Sequence, residues 1–233
     1  MLHAALGSAH NFEAYLPILS KKLRVVAVDM RGMGRSEHVK EVPPSAWTDD
    51  LLGLMGHLGI HKAHLFGNRL GTRIPIQVGF FHPERALSLI LDSPHIHLTQ
   101  QMQEAQNRAG GDGTSHTPER QADLRQRHGE DWLDVVRNYY NIRNVSELQE
   151  FYNFTSTIDK ISCPGLTMSS DNAGAIYEHA LEIKARVPNA RLAIVPIFGF
   201  DAASGFPQTS VEIICKFILD FVASLAPAPV QPA

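Results

Sequence analysis

Arg69 stands between two glycines in the pentapeptide GNRLG (67–71), at the end of the apolar run AHLF (63–66) and ahead of a stretch with helical spacing. A guanidinium stays protonated at any physiological pH, so it cannot attack a carbonyl carbon. It can hold a carboxylate through two parallel N–H···O bonds, and at a helix N-terminus backbone donors would assist it. The competing reading is an internal ion pair with Asp29, Asp92 or Asp171. His95 and His97 follow Asp92, and with His3 and His10 they raise the question of a metal. No HxxxH or HExxH pattern on a helix supports one, so neither a metal nor a cofactor is expected. The turn RGMGRS (31–36) is glycine-rich but has neither GK[ST] nor GxGxxG spacing, and reads as a structural turn. Ser36, Ser93 and Ser204 each lack a GxSxG context, so none is expected to be a nucleophile.

Elements that would position these residues are legible from periodicity. Five nearly continuous apolar runs read as strands buried on both faces: 24–29 (RVVAVD), 63–66 (AHLF), 87–91 (LSLIL), 165–168 (GLTM) and 191–195 (RLAIV). Helical spacing covers 45–58, 70–81, 176–187 and 208–224, giving the alternation of a parallel sheet with crossover helices. From His95 to Thr157 the chain is polar and Gln/Arg-rich, with Gly110, Gly111 and Gly113 close together. Within it RQRHGEDWLDVVRNYY (125–140) spaces Trp132, Val135, Val136 and Tyr139 as one helical face, predicting a small helical cap over the sheet's C-terminal edge, where open α/β sheets take ligands. Trp132, Tyr139 and Tyr140 are expected to pack this cap rather than stack on a ligand.

Taken in order, the segments resemble the α/β-hydrolase superfamily from His3 to Phe221. HAALGS (3–8) is similar to the HGxxGS loop, VVAVDMRGMGRSE (25–37) to the family's strand and DxRGxGxS turn, and GNRLG to its nucleophile elbow. FFHPERALSLILDSP (80–94), CPGLTM (163–168) and VPNARLAIVP (187–196) match the later strands. The resemblance implies an α/β fold, a mostly parallel sheet flanked by helices. Its core would be 1–94 and 158–225, its cap 95–157, and 226–233 (APAPVQPA) a disordered tail. It also implies that three strands would precede HAALGS, leaving one side of the sheet open to be covered or carried into a homo-oligomer.

Active members carry GxSxG at the elbow, and here Arg69 falls on the nucleophile position. Phe200, followed by Asp201, falls on the position of the general base in PIFGF (196–200). The acid falls at or near Asp171, or at Asp92 as the alternative acid of some members. Gly67 and Gly71 keep the turn. The oxyanion donors would be the backbone N–H groups of Ala5 and Leu70, while Ala4 in place of glycine is expected to distort their loop and Pro75 to shift the first helical turn. Ala5, Asn68, Leu70 and His95 are the expected ligand contacts.

Composition bounds the rest. With 233 residues, 44% apolar, 19% charged and a net charge of -3, the chain suits one core and offers no basic patch for nucleic acid or an anionic membrane. No apolar run reaches the roughly 18 residues of a spanning helix and no signal peptide pattern is present, so a cytoplasmic protein with two free thiols, Cys163 and Cys215, is expected. The leading expectation is a hydrolase-family chain without ordinary serine-hydrolase activity that binds at most a small carbonyl or carboxylate ligand under the cap. The alternatives are a lyase or decarboxylase using Arg69 as an anion clamp, and a non-catalytic partner subunit.

Overall fold

The computed structural model describes residues 1–100, 102, 104, 113, 114, 116–170, 175–196 and 208–225. Four strands, β1 (Ala63–Asn68), β2 (Ala86–Asp92), β3 (Gly165–Ser169) and β4 (Ala190–Ile194), form a parallel sheet in chain order. Every residue of β3 and all but one of β2 are buried, as their apolar runs require when both faces are covered. Alternate residues serve opposite faces. Leu65, Leu89 and Leu91 join a cluster with Trp47, Leu51 and Met55 of α2 (Ala46–His57) and Ile74, Ile76 and Val78 of α3 (Arg73–Phe81). Phe66, Ile90 and Leu166 join a second cluster with Phe12, Tyr15 and Leu19, the last in the single turn α1 (Leu16–Leu19), and with the buried stripe of α8 (Gln208–Ala223). The result is helix, sheet, helix in three layers.

The run 24–29 does not form a ladder strand. Its sheet contact is one parallel bridge between Val28 and Leu2, and Leu2 bridges Gly67 on its other side. Met1 donates to Val26 O at 2.6 Å and Leu2 to Phe66 O at 2.9 Å, so Met1 and Leu2 link 25–28 to β1. Alongside them runs an apolar groove of about 340 Å³, lined by Val25, Val26, Leu54, Met55, Leu65 and Phe66 among others.

Between β2 and β3 come α4 (Pro118–His128), α5 (Trp132–Arg143) and α6 (Ser146–Phe151). Thr117 caps α4, accepting from the Arg120 N–H, and Pro118 takes the position where no donor is needed. The helical pattern of 125–140 is interrupted at Gly129, whose φ of 94° ends α4 and redirects the chain. Trp132, Val135, Val136, Tyr139 and Ile142 bury one face of α5 in the same cluster as α2 and α3. α7 (Ala175–Arg186) packs on β3 and β4. Both cysteines are free and buried. No helix among the described residues is long and apolar enough to cross a membrane.

α3 is enclosed on all sides, with the sheet below and the inserted helices above. Ile76 at its centre has no exposed surface. Replacing it with alanine removes three buried carbons from a site with little room to collapse. Ile76→Ala is expected to lower the unfolding free energy by about 2–5 kcal/mol, measured by urea denaturation.

Candidate functional site

The C-terminal ends of the strands carry three non-glycine residues with left-handed backbone: Leu6 at φ 51°, Arg69 at φ 49° and Ser93 at φ 55°. Such a conformation costs a side-chain-bearing residue free energy, so its repetition at one edge marks where the surroundings dictate backbone path. Ala4 is not among them. The strain expected at Ala4 sits two residues later at Leu6, because the Ala4 carbonyl is already committed to the Gly7 N–H and the His3 ring.

At the elbow, β1 ends at Asn68 and a 3-10 turn, Arg69–Thr72, precedes α3. Pro75 falls in the first turn of α3, where its missing N–H costs nothing, and the change from 3-10 to α geometry lies just before it. A Cβ on Gly67 would strike the Gly71 carbonyl, and one on Gly71 would strike the Leu2 and His3 carbonyls. Thr72 fastens the turn by donating to Arg69 O at 2.6 Å and accepting the His95 N–H at 3.1 Å. Asn68 donates to Asp92 Oδ2 at 2.7 Å across the β1–β2 register, and Ser93 donates to Asp92 Oδ1 at 3.2 Å. Burial pushes the Asp92 carboxyl up, opposed by the Asn68 bond, the charge of Arg69 and the Ser93 bond.

Above the elbow lies a cavity of about 610 Å³, walled below by the HAALGS loop and the elbow and above by α5 and α6. Ala5, Asn68, Arg69, Leu70 and His95 all line it. His95 Nε2 is sealed from solvent without a partner, and burial, with the charges of Arg73 and Arg69, holds its ring well below the usual histidine range. It is therefore neutral at pH 7.

A family model described as alpha/beta hydrolase fold matches residues 1–144. The chain belongs to this family. Over 252 aligned residues this alpha/beta hydrolase is 26% identical to "Putative carbamate hydrolase RutD" of Caulobacter sp. (strain K31), covering 97% of this chain and 91% of that one. A shorter match, 36% identical over 83 residues, links it to the 2-hydroxymuconate semialdehyde hydrolase of Pseudomonas sp. (strain CF600), over 35% of this chain and 29% of the relative. Among solved structures, a thermophilic esterase from Thermogutta terrifontis has a TM-score of 0.75 at 20% identity, covering 97% of this chain and 89% of its own. NosK from Streptomyces actuosus has 0.72 at 19%, covering 96% of each. Both share the fold.

In this member of the alpha/beta hydrolase fold family, position 69 of the elbow is an arginine that lines the cavity. Of the acids weighed as its partner, Asp29 accepts the backbone N–H groups of Ala9 and Arg35, Asp92 is bonded as above, and Asp171 lies outside the described residues. Phe200 and Asp201 also lie outside them, as does Ser204. Ser36 donates to the Asp29 carbonyl, and the RGMGRS turn serves structure: its Gly34 N–H donates to His128 Nδ1 at 2.9 Å. His3, His10 and His97 are apart, His3 bonded to Met30, His10 to Glu13 and His97 packed edge-on against His179. Three cavity arginines were not legible as site residues in the sequence: Arg73, Arg127 and Arg143. The one available signal was Arg73, a charge in the enclosed helix RIPIQVGFF. Tyr139 and Tyr140 line the cavity as well, while Trp132 is buried in the core.

Two histidines fix the loops around the cavity. The Met30 N–H donates to His3 Nε2, so the ring proton is on Nδ1 and goes to Ala4 O at 2.7 Å. The Gly34 N–H donates to His128 Nδ1, so its proton is on Nε2, facing Leu6 O at 3.3 Å. Burial lowers both to about 4. Between pH 6.5 and about 4 the unfolded chain takes up protons that the folded chain refuses, so stability falls as pH falls through that window. His3→Gln, which retains an acceptor and a donor, is expected to reduce the slope of stability against pH there, measured by denaturation from pH 7 to 4.5. Gly71→Ala is expected to cost about 1–3 kcal/mol by the same measurement, through overpacking against Leu2.

Proposed function

We propose that this chain binds a small carbonyl or carboxylate ligand between the elbow and a helical cap formed by the β2–β3 insertion, and does so without ordinary serine-hydrolase chemistry. One observation carries the reading: the elbow keeps its tight Gly67–Gly71 packing and left-handed central residue, but that residue is Arg69 and it lines the cavity. A permanently protonated side chain supplies no nucleophile for an acyl-enzyme. It supplies charge, beside Ala5 and Leu70, the cavity residues to which the family resemblance assigns the oxyanion donors. The base position, Phe200, fits the same reading by residue type, since a phenyl ring cannot relay a proton. RutD's name ascribes to it carbamate hydrolysis, which is also chemistry on a small acyl compound.

A second reading keeps catalysis. The same guanidinium, fixing a substrate carboxylate while backbone donors face an adjacent carbonyl, suits a lyase or decarboxylase. Release of carbon dioxide from a β-keto acid, lost in Arg69→Ala, would favour that reading over binding alone.

A fluorophosphonate probe is expected to leave the protein unlabelled, and p-nitrophenyl acetate to give no burst. Labelling at any serine would overturn the proposal. Arg69→Ala is expected to fold and to weaken carboxylate binding at least 10-fold by calorimetry. Unchanged binding would remove Arg69 from the site.

A further inference from the structure

Arg73 has the least accommodated charge in the cavity wall. It is 8% exposed, and among the described residues no carboxylate pairs with it. Its guanidinium lies 5.5 Å from the centroid of the Tyr152 ring, and its Nε is buried with no hydrogen-bond partner. Burial disfavours the charged form, with only the nearby Tyr139 and Tyr152 hydroxyls opposing. An arginine does not lose its proton at neutral pH, so the charge persists in a place that does not satisfy it. Contact with the Tyr152 ring offsets part of that cost but leaves the buried Nε–H without an acceptor.

The neighbouring charges share its sign. Arg69, Arg73 and Arg143 line the same cavity, with the charges of Arg69 and Arg73 acting on His95 and those of Arg73 and Arg143 on Tyr139. Arg143 stands over the Tyr140 ring at 4.3 Å. Glu13 also lines the cavity, but its side chain is 67% exposed and held by His10 at 2.7 Å. Such a concentration of cations in a chain of net charge -3 is local. Arg69 and Arg73 stand at the two ends of the 3-10 turn that joins β1 to α3, and both line the cavity.

We propose that the cavity takes a short dicarboxylate, one acid group at Arg69 with the Ala5 and Leu70 N–H groups and the other at the fork of Arg73. This rests on the carboxylate reading of the cavity given above and names its ligand class. The second acid would supply the acceptor that buried Arg73 lacks, and bidentate geometry makes its recognition specific for a planar carboxylate.

Calorimetric titration at low salt with succinate, butyrate and succinamide tests it. The wild-type protein is expected to bind succinate at least 10-fold tighter than butyrate, and succinamide not measurably. Arg73→Met, which keeps bulk and removes the charge, is expected to bring succinate and butyrate within twofold of each other while its unliganded melting temperature equals or exceeds the wild-type value. Arg73→Lys, which keeps the charge but not the fork, is expected to fold and lose most of the preference. A preference retained in Arg73→Met, or in Arg73→Lys should the methionine variant not fold, overturns the proposal. Equal binding of succinate and butyrate by the wild type overturns it while leaving the carboxylate reading intact. Failure of both acids to bind the wild type removes that reading and the proposal together.

Discussion

Two peptide planes touch where β1 ends and the elbow begins, and much of the upper edge is built around that contact. With hydrogen in place of Cβ at Gly67 and Gly71, the turn can press against the Leu2 and His3 carbonyls. The close approach leaves residue 69 no ordinary backbone path, and its φ of 49° follows. A side chain on a left-handed residue between a strand and a helix must project away from both. Here that direction is the cavity, so packing rather than chemistry aims position 69, whatever residue occupies it.

The loops beside the elbow are held by groups that are neutral because they are buried. His3 and His128 each accept one backbone N–H and face one backbone carbonyl, which is possible only for an uncharged imidazole. His128 belongs to α4, so the inserted helices are tied to the Gly34 turn and the Leu6 loop as well as buried in the common core. The cavity between them is thereby a shaped space rather than a gap between independent parts. Its wall is polar where the two layers meet, and the polarity there is cationic.

Much of this was legible in the sequence. Four of the five apolar runs became ladder strands, each paired with the next in chain order. The run at 24–29 had the same pattern but formed a single bridge, since an apolar pattern does not specify which segment a strand will pair with. Periodicity found the buried face of α5, while the break at Gly129 inside the same pattern went unread. The elbow was visible because small residues at fixed spacing have a steric cause. Leu6 was not, because a left-handed leucine in a loop carries no signature of residue type or spacing. Arg73 was missed for a different reason: a charge inside an apolar helix looks like solvent exposure until the layer above it is known.

That last point bears on how Arg69 is understood. Considered alone, a guanidinium in place of a serine is equally compatible with lost function and with changed function. Loss of catalysis relaxes selection on the chemistry of one position, and it gives no physical reason for a second cation to be enclosed nearby. Enclosing Arg73 disfavours the empty protein, since the charge is desolvated without an anion to offset it. A simple apolar residue on α3 would pack against Tyr152 and avoid the penalty. Two cations at the ends of one short turn and lining one cavity, one strained in backbone and one in solvation, are more economically explained by something they both face than by separate accidents.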